Sequence, residues 1–191
     1  MFPSLHYLSW LIGLSGAVTQ TTEAERECLV RHASGRKALV EIGVFEGVTT
    51  YVLREAMAHD GVLYAVDPFF RGRLGVSFQE RIARREVARS TRGRVEWVRT
   101  TGVASARDPR LLDTAVDFVF VDGDHTWEAI EGDWNAWNGK VVPGGIIAFH
   151  DSRESQREAP ELFVEQVVAA DPRFELVDVE FRLTVFKRRG D

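Results

Sequence analysis

Asp122-Gly-Asp124-His125 and His150-Asp151 each directly follow a run of apolar residues, so two segments bring five proton carriers to wherever those runs end together. Carboxylate and imidazole groups in one region suit proton transfer, or a divalent ion such as Mg²⁺, Mn²⁺, Fe²⁺ or Zn²⁺, with no thiol nearby to favour zinc. An imidazole of ordinary pKa, about 6.5, is matched to taking a proton near neutrality. His125 is the candidate general base and His150 the second. The plainer alternative is that His125 caps the helix starting at Thr126 and His150 orders its loop. His6, His32 and His59 fall in a tail, a helix end and a turn, where structural or solvated positions are expected.

A second constellation is Glu41-Ile-Gly43-Val-Phe45-Glu46-Gly47, followed 24 residues after Gly43 by Asp67. Glycines after a strand let the backbone approach a ligand, and the next helix offers free N–H groups. Asp67 ends the next apolar run, where its carboxylate can accept both hydroxyls of a ribose. A dinucleotide site favours Gly-x-Gly-x-x-Gly, whereas this loop is Gly43-x-x-x-Gly47 flanked by Glu41 and Glu46. Two carboxylates repel a pyrophosphate and welcome positive charge, as on a sulfonium with an amino-acid tail. A tight turn with solvated acids is the plainer reading.

These residues need a scaffold that brings strand ends together, and the hydrophobic pattern supplies one. A capping box of Thr22 and Glu25 opens a helix through about His32. Strands are expected at Ala38–Ile42, Val62–Asp67, Val95–Arg99, Val116–Val121 and Ile146–His150, the last entered through a Pro143-Gly-Gly turn. Helices are expected at 49–58, 77–92, 126–139 and 160–170, so the alternation predicts a parallel sheet covered by helices. Trp127, Ile130, Trp134 and Trp137 share one helix face, as core or as a stacking platform. The runs 174–179 and 181–186 are so close that only an antiparallel hairpin can join them.

The 191 residues, 45% hydrophobic and 28% charged, match one soluble domain with one core. A single cysteine, Cys28, excludes an internal disulfide and points to a reducing, cytoplasmic compartment. A net charge of −5 argues against nucleic acid and for a small-molecule partner. Nine arginines between Arg71 and Arg99 face three glutamates there, as a solvated helix face or a surface for an anionic partner. Residues 1–21 lack the basic start of a signal peptide and read as a lid or an oligomer contact ahead of a domain spanning 22–191, although their apolar side chains also suit a core. No run is long enough to span a membrane.

Taken together, Glu41-Ile-Gly43-Val-Phe45-Glu46-Gly47, Asp67, Val119-Phe-Val-Asp122-Gly-Asp124-His125 and Pro143-Gly-Gly145 with Phe149-His150-Asp151 resemble the class I S-adenosylmethionine-dependent methyltransferases. The resemblance covers about Thr22 to Phe186. It is to the small bacterial branch related to cephalosporin-hydroxylase-like and macrolide-sugar O-methyltransferases. It implies an α/β, Rossmann-like seven-stranded sheet of order 3-2-1-4-5-7-6, the last strand antiparallel, with helices on both faces. It implies further that Gly43 and Gly47, with Glu41 and Phe45, line the methionine portion of S-adenosyl-L-methionine. Asp67 would hold the ribose, Thr101-Gly102-Val103 would face the adenine, and Asp122 would touch the same ligand. Asp122, His150 and Asp151 stand where metal-bound members hold a divalent ion. There are two departures: Thr101-Gly102-Val103 offers no acidic group, and His150 stands where an acid is commoner, which disfavours magnesium.

Methyl transfer to a hydroxyl is an in-line displacement that needs alignment and removal of a proton, the task expected of His125. The acceptor pocket is expected from residues 1–20, 68–75 and 152–159. Phe69, Phe70 and Trp10 hint at an apolar acceptor or at ordinary packing. Two other classes compete: a metal-dependent phosphoester hydrolase, short of histidine ligands, and a non-catalytic S-adenosylmethionine-binding module.

Overall fold

The computed structural model describes residues 3–72 and 75–190. A helix, α1 (Pro3–Leu11), precedes α2 (Glu23–Ala33), which begins at the complete capping box: the Thr22 hydroxyl accepts from the Glu25 amide, and Glu25 accepts from the Thr22 amide at 2.7 Å. Strands and helices then alternate through β1 (Ala38–Ile42), α3 (Val48–Ala56), β2 (Val62–Val66), α4 (Phe78–Val87) and β3 (Arg94–Val98). The one-turn α5 (Gly102–Ser105), β4 (Val116–Val121), α6 (Trp127–Trp137) and β5 (Val141–Phe149) continue the pattern. Next, α7 (Ala159–Phe163) runs into a π-helical turn at Val164–Val168, and the chain closes with β6 (Phe174–Glu180) and β7 (Leu183–Arg188).

The strands order β3-β2-β1-β4-β5-β7-β6. The first five are parallel, and β7 runs antiparallel to both β5 and β6. This is the sheet the resemblance implies. Strand residues alternate between two cores, as the pleat requires. Val40 and Ile42 of β1 pack with Trp134 and Trp137 of α6 and Phe163 of α7, whereas Leu39 packs with Cys28 and Leu29 of α2 and Leu53 of α3. Helices therefore cover both faces. The α6 aromatic face is core: Trp134 and Trp137 are buried, and Trp127 packs edge-on against Phe163.

Some element bounds differ from expectation. β5 starts at Val141, because a register shift between Val116 and Phe118 of β4 takes up Pro143-Gly-Gly145 as a bulge inside the strand. α4 stops at Val87 instead of Arg92, and the Ser90 hydroxyl accepts the Arg92 amide in the turn that follows. The helix expected over 160–170 widens at Val164, which lets Phe163, Val164 and Val168 all reach the core.

α1 lies against α4: Tyr7 stacks on Phe78 with centroids 4.9 Å apart, and the Trp10 indole donates to Glu86. Leu5, Leu8 and Ile12 face outward. The arginine-rich stretch is extensively paired. Glu80 holds Arg84 and Arg99, Glu86 holds Arg89, Glu96 holds Arg94, and Arg92 donates to the Met57 carbonyl. Arg73 lies outside the described residues. No helix among the described residues is long and apolar enough to cross a membrane.

Candidate active site

The carboxyl ends of β1, β2, β3 and β4 open onto one cavity of about 640 Å³. Backbone hydrogen bonds run past the strands and level their ends, from the Gly43 amide to the Val66 carbonyl and from the Asp122 amide to the Ile42 carbonyl. Gly43 has φ of 92°, and a Cβ there would lie 1.9 Å from the Asp122 carbonyl oxygen, so only glycine lets the two turns pass. Asp67 ties the neighbouring turns together. Its Oδ2 accepts from the amides of Val44 (3.0 Å) and Phe45 (3.2 Å), and its Oδ1 accepts from Phe69 (2.7 Å).

Four carboxyl groups line the cavity, those of Asp67, Asp122, Asp124 and Asp133, and no lysine or arginine does so among the described residues. Asp133 escaped the sequence analysis. It sits on a helix face that reads as core, and its approach to the cavity depends on α5, an element too short to be expected. Burial lifts its carboxyl to about 6, helped by the charge of Asp124 and opposed by the Val103 amide.

Beside the cavity, β4 and β5 end in a cluster of buried charges. His150 Nδ1 lies 3.1 Å from Asp122 and 3.3 Å from Asp151, while its Nε2 faces Glu25 at 3.5 Å. Burial disfavours the charged ring, but Asp122 and Glu25 outweigh it and raise His150 to about 10. His150 is thus an imidazolium at neutral pH. Arg182 takes the other oxygen of Asp151 at 3.0 Å. His125 is more exposed and stands 3.9 Å from Asp122 and 3.6 Å from Asp151. Its pKa is raised, chiefly by Asp122, with burial opposing and the charge of Asp151 adding.

A family model for the methyltransferase domain matches residues 40–152, the stretch from β1 through the end of β5 that builds the cavity and the charge cluster. The chain belongs to the methyltransferase-domain family. Among its relatives is "Probable O-methyltransferase Rv1220c" of Mycobacterium tuberculosis, 30% identical over 173 residues, which are 89% of this chain and 72% of that protein. The fold matches a protein of Corynebacterium glutamicum with a TM-score of 0.70 at 14% identity, over 99% of this chain and 90% of the other. It also matches the O-methyltransferase of Bacillus cereus, solved in complex with SAH, with a TM-score of 0.67 at 15% identity over 98% and 90% of the two chains.

The residues expected to touch the ligand divide into two groups. Gly43, Phe45, Asp67, Thr101, Gly102 and Asp122 line the cavity. Glu41 and Gly47 do not. The side chain of Glu41 is wholly buried behind the wall, and its carboxyl is raised well above the usual range by burial and by the charges of Asp122 and Asp67. Gly47 packs on Ala83 of α4. Glu46 is also withdrawn, accepting from the Val18 amide at 2.6 Å and meeting His6 at 3.0 Å. The acidity expected from Glu41 and Glu46 is instead supplied by the four aspartates.

Asp122, His150 and Asp151 do come together, with one potential ligand atom of each within 4.8 Å of the others. An imidazole between two carboxylates is a poorer match for Mg²⁺ than an all-oxygen set, and His150 and Arg182 already pair with Asp122, Asp151 and Glu25. His125 is the more exposed of the two histidines, His150 is buried among these charges, and neither is among the residues lining the cavity. His125 does not cap α6, because Thr126 itself does so, accepting the Ala129 amide.

Proposed function

We infer that the cavity binds S-adenosyl-L-methionine and that the protein catalyses methyl transfer to an oxygen of a small-molecule acceptor. The observation that carries this is the cavity lining: four aspartates and, among the described residues, no lysine or arginine, which favours a cationic nucleoside over one bearing phosphates. The O-methyltransferase names of the relatives and the SAH-bound Bacillus cereus fold agree with it.

When bound, the sulfonium supplies an electrophilic methyl group and departs as a neutral thioether. The chain's own residues do the rest. Asp67, fixed by three amides, is held to accept the ribose hydroxyls, and the Gly43 turn lets the backbone approach the amino-acid tail. As the acceptor oxygen bonds to the methyl carbon, its proton passes to the His125 imidazole. The resulting imidazolium is stabilised by Asp122 and Asp151. Val18, Thr19, Gln20, Pro68 and Phe70 also line the cavity, and the stretch 18–20 serves as a lid over the acceptor. The loop 152–159 does not line the cavity.

Calorimetric titration of the full chain tests this reading. Saturable binding of S-adenosylmethionine and S-adenosylhomocysteine, with no heat from ATP or NAD, is the expected result. Saturation by ATP or NAD and silence toward the sulfonium would overturn it.

A further inference from the structure

α2 and β6 meet at a cluster that shares no residue with the cavity: Cys28 and His32, one turn apart on one face of α2, and Asp178 of β6. One potential ligand atom of each lies within 4.8 Å of the others. Cys28 is buried, whereas His32 and Asp178 are partly exposed, so solvent reaches one side of the cluster. β6 arrives there just past a register shift between Leu176 and Asp178, an irregularity of the kind that re-aims a side chain.

As hydrogen bonding alone this arrangement is oversubscribed. The Cys28 thiol at 3.5 Å, the Arg31 guanidinium at 3.1 Å and the His32 imidazole at 2.9 Å all converge on Oδ2 of Asp178, while Oδ1 accepts the Val179 amide. One carboxylate oxygen has about two lone-pair directions, so three donors cannot all be served. A cation reverses the roles. Thiolate, neutral imidazole and carboxylate all offer it electron pairs, and Arg31, more than half exposed, can turn to solvent.

The spacing fits that exchange. A tetrahedral zinc ion, with bonds of about 2.3 Å to sulfur and about 2.0 Å to nitrogen and oxygen, sets the sulfur about 3.5 Å and the nitrogen about 3.3 Å from the carboxylate oxygen. The corresponding distances here are 3.5 and 2.9 Å. Burial and the charge of Asp178 push the Cys28 thiol up to about 12, but a bound cation inverts that charge logic, and a coordinating thiol gives up its proton. A sulfur and an imidazole ligand select zinc over magnesium or calcium, which take oxygen.

We propose that Cys28, His32 and Asp178 form a zinc site that clamps α2 to the edge strand β6, with water in the fourth position on the exposed side. The ion takes the place of the thiol proton, which leaves to solvent, and its two positive charges are matched by the thiolate and the carboxylate. The site stands independently of the S-adenosylmethionine reading.

Cobalt(II) is the probe that tests it. Cys28 is the only cysteine, so a thiolate-to-cobalt charge-transfer band reports this site and cannot arise from Asp122, His150 and Asp151. Titration of the full chain is expected to give that band together with the intense visible bands of four-coordinate cobalt, saturating at one ion per chain and bleached by one equivalent of zinc. His32→Gln and Asp178→Asn keep the thiol and should each weaken cobalt binding at least about tenfold, a loss that even an outer-shell partner can bring. The lack of a charge-transfer band in the wild-type protein would overturn the proposal, whether or not either variant folds. So would a band that survives both substitutions with undiminished affinity, the mark of a thiol that holds the ion by itself.

Discussion

Asp133 and Trp137, one turn apart on α6, both meet the turn after β3 at Gly102. The Trp137 indole donates to the Gly102 carbonyl at 3.1 Å, and the Asp133 carboxyl stands so close that a Cβ on Gly102 would lie 2.2 Å from its Oδ1. Residues at i and i+4 share a helix face, so a short segment of α6 fixes both the height and the tilt of the turn after β3. Trp137→Phe keeps most of the buried area and removes only the donor. A stability loss of about 1 kcal/mol, or roughly 2–4 °C in Tm at this chain length, is expected. S-adenosylhomocysteine should bind more weakly as well. Thermal denaturation and calorimetry would show both, and an unchanged Tm would mean that Ser105 alone secures the carbonyl.

Gly43 is where β1 and β4 come closest. An alanine there must adopt φ near 92° and place its Cβ against the Asp122 backbone, a contact no rotamer can relieve. Positive φ alone costs about 1–2 kcal/mol for a residue with a Cβ, and the clash adds to it. Gly43→Ala should therefore lower Tm by several degrees and abolish ligand binding in whatever fraction folds. A variant with wild-type stability and affinity would show that the two turns can separate freely.

His125 must be neutral to accept a proton, and its raised pKa delays that state to higher pH. The rate of methyl transfer, once an acceptor is in hand, should rise with pH along a limb centred above about 6.5, the ordinary histidine value. His125→Gln should lower kcat by about 10²–10⁴-fold while leaving S-adenosylhomocysteine affinity near wild type. Loss of that pH limb in the variant identifies the group, whereas its persistence would assign it elsewhere.

The parallel sheet, the terminal hairpin and the α2 capping box could be read from the sequence because each is set by local pattern: alternation, spacing and side chains within a few residues. The ligand-facing turns were readable in part. Gly43, Asp67 and Asp122 declare themselves by ending apolar runs. Glu41 misleads, since adjacency to a glycine turn does not reveal which face of β1 its side chain takes. That depends on the pleat, and Glu41 shares the face of Leu39. Glu25 and Arg182 could not be assigned to the cluster around His150, because they reach it from α2 and from the β6–β7 connection only in the folded chain. Asp133 is hidden for the same reason.

Far from the cavity, Asp178 joins β6 to α2 and gives the fold a predictable response to acid. His32 lies 2.9 Å from its Oδ2 and Arg31 donates to that oxygen at 3.1 Å, with the Cys28 thiol at 3.5 Å. Burial favours the neutral acid, but these partners and the Val179 amide outweigh it and hold Asp178 at about 2, below its ordinary 3.8. A carboxyl depressed in the folded state stabilises the fold above its unfolded pKa, and that contribution is lost as pH falls toward the folded value. Most of the loss should come between about pH 4 and pH 2, on the order of 2 kcal/mol in total. Asp178→Asn should be less stable than the wild-type protein at pH 7, and the difference should shrink steadily as denaturant melts are repeated from pH 4 downward. A gap that is constant with pH would show that Asp178 acts through its shape and hydrogen bonds instead of its charge.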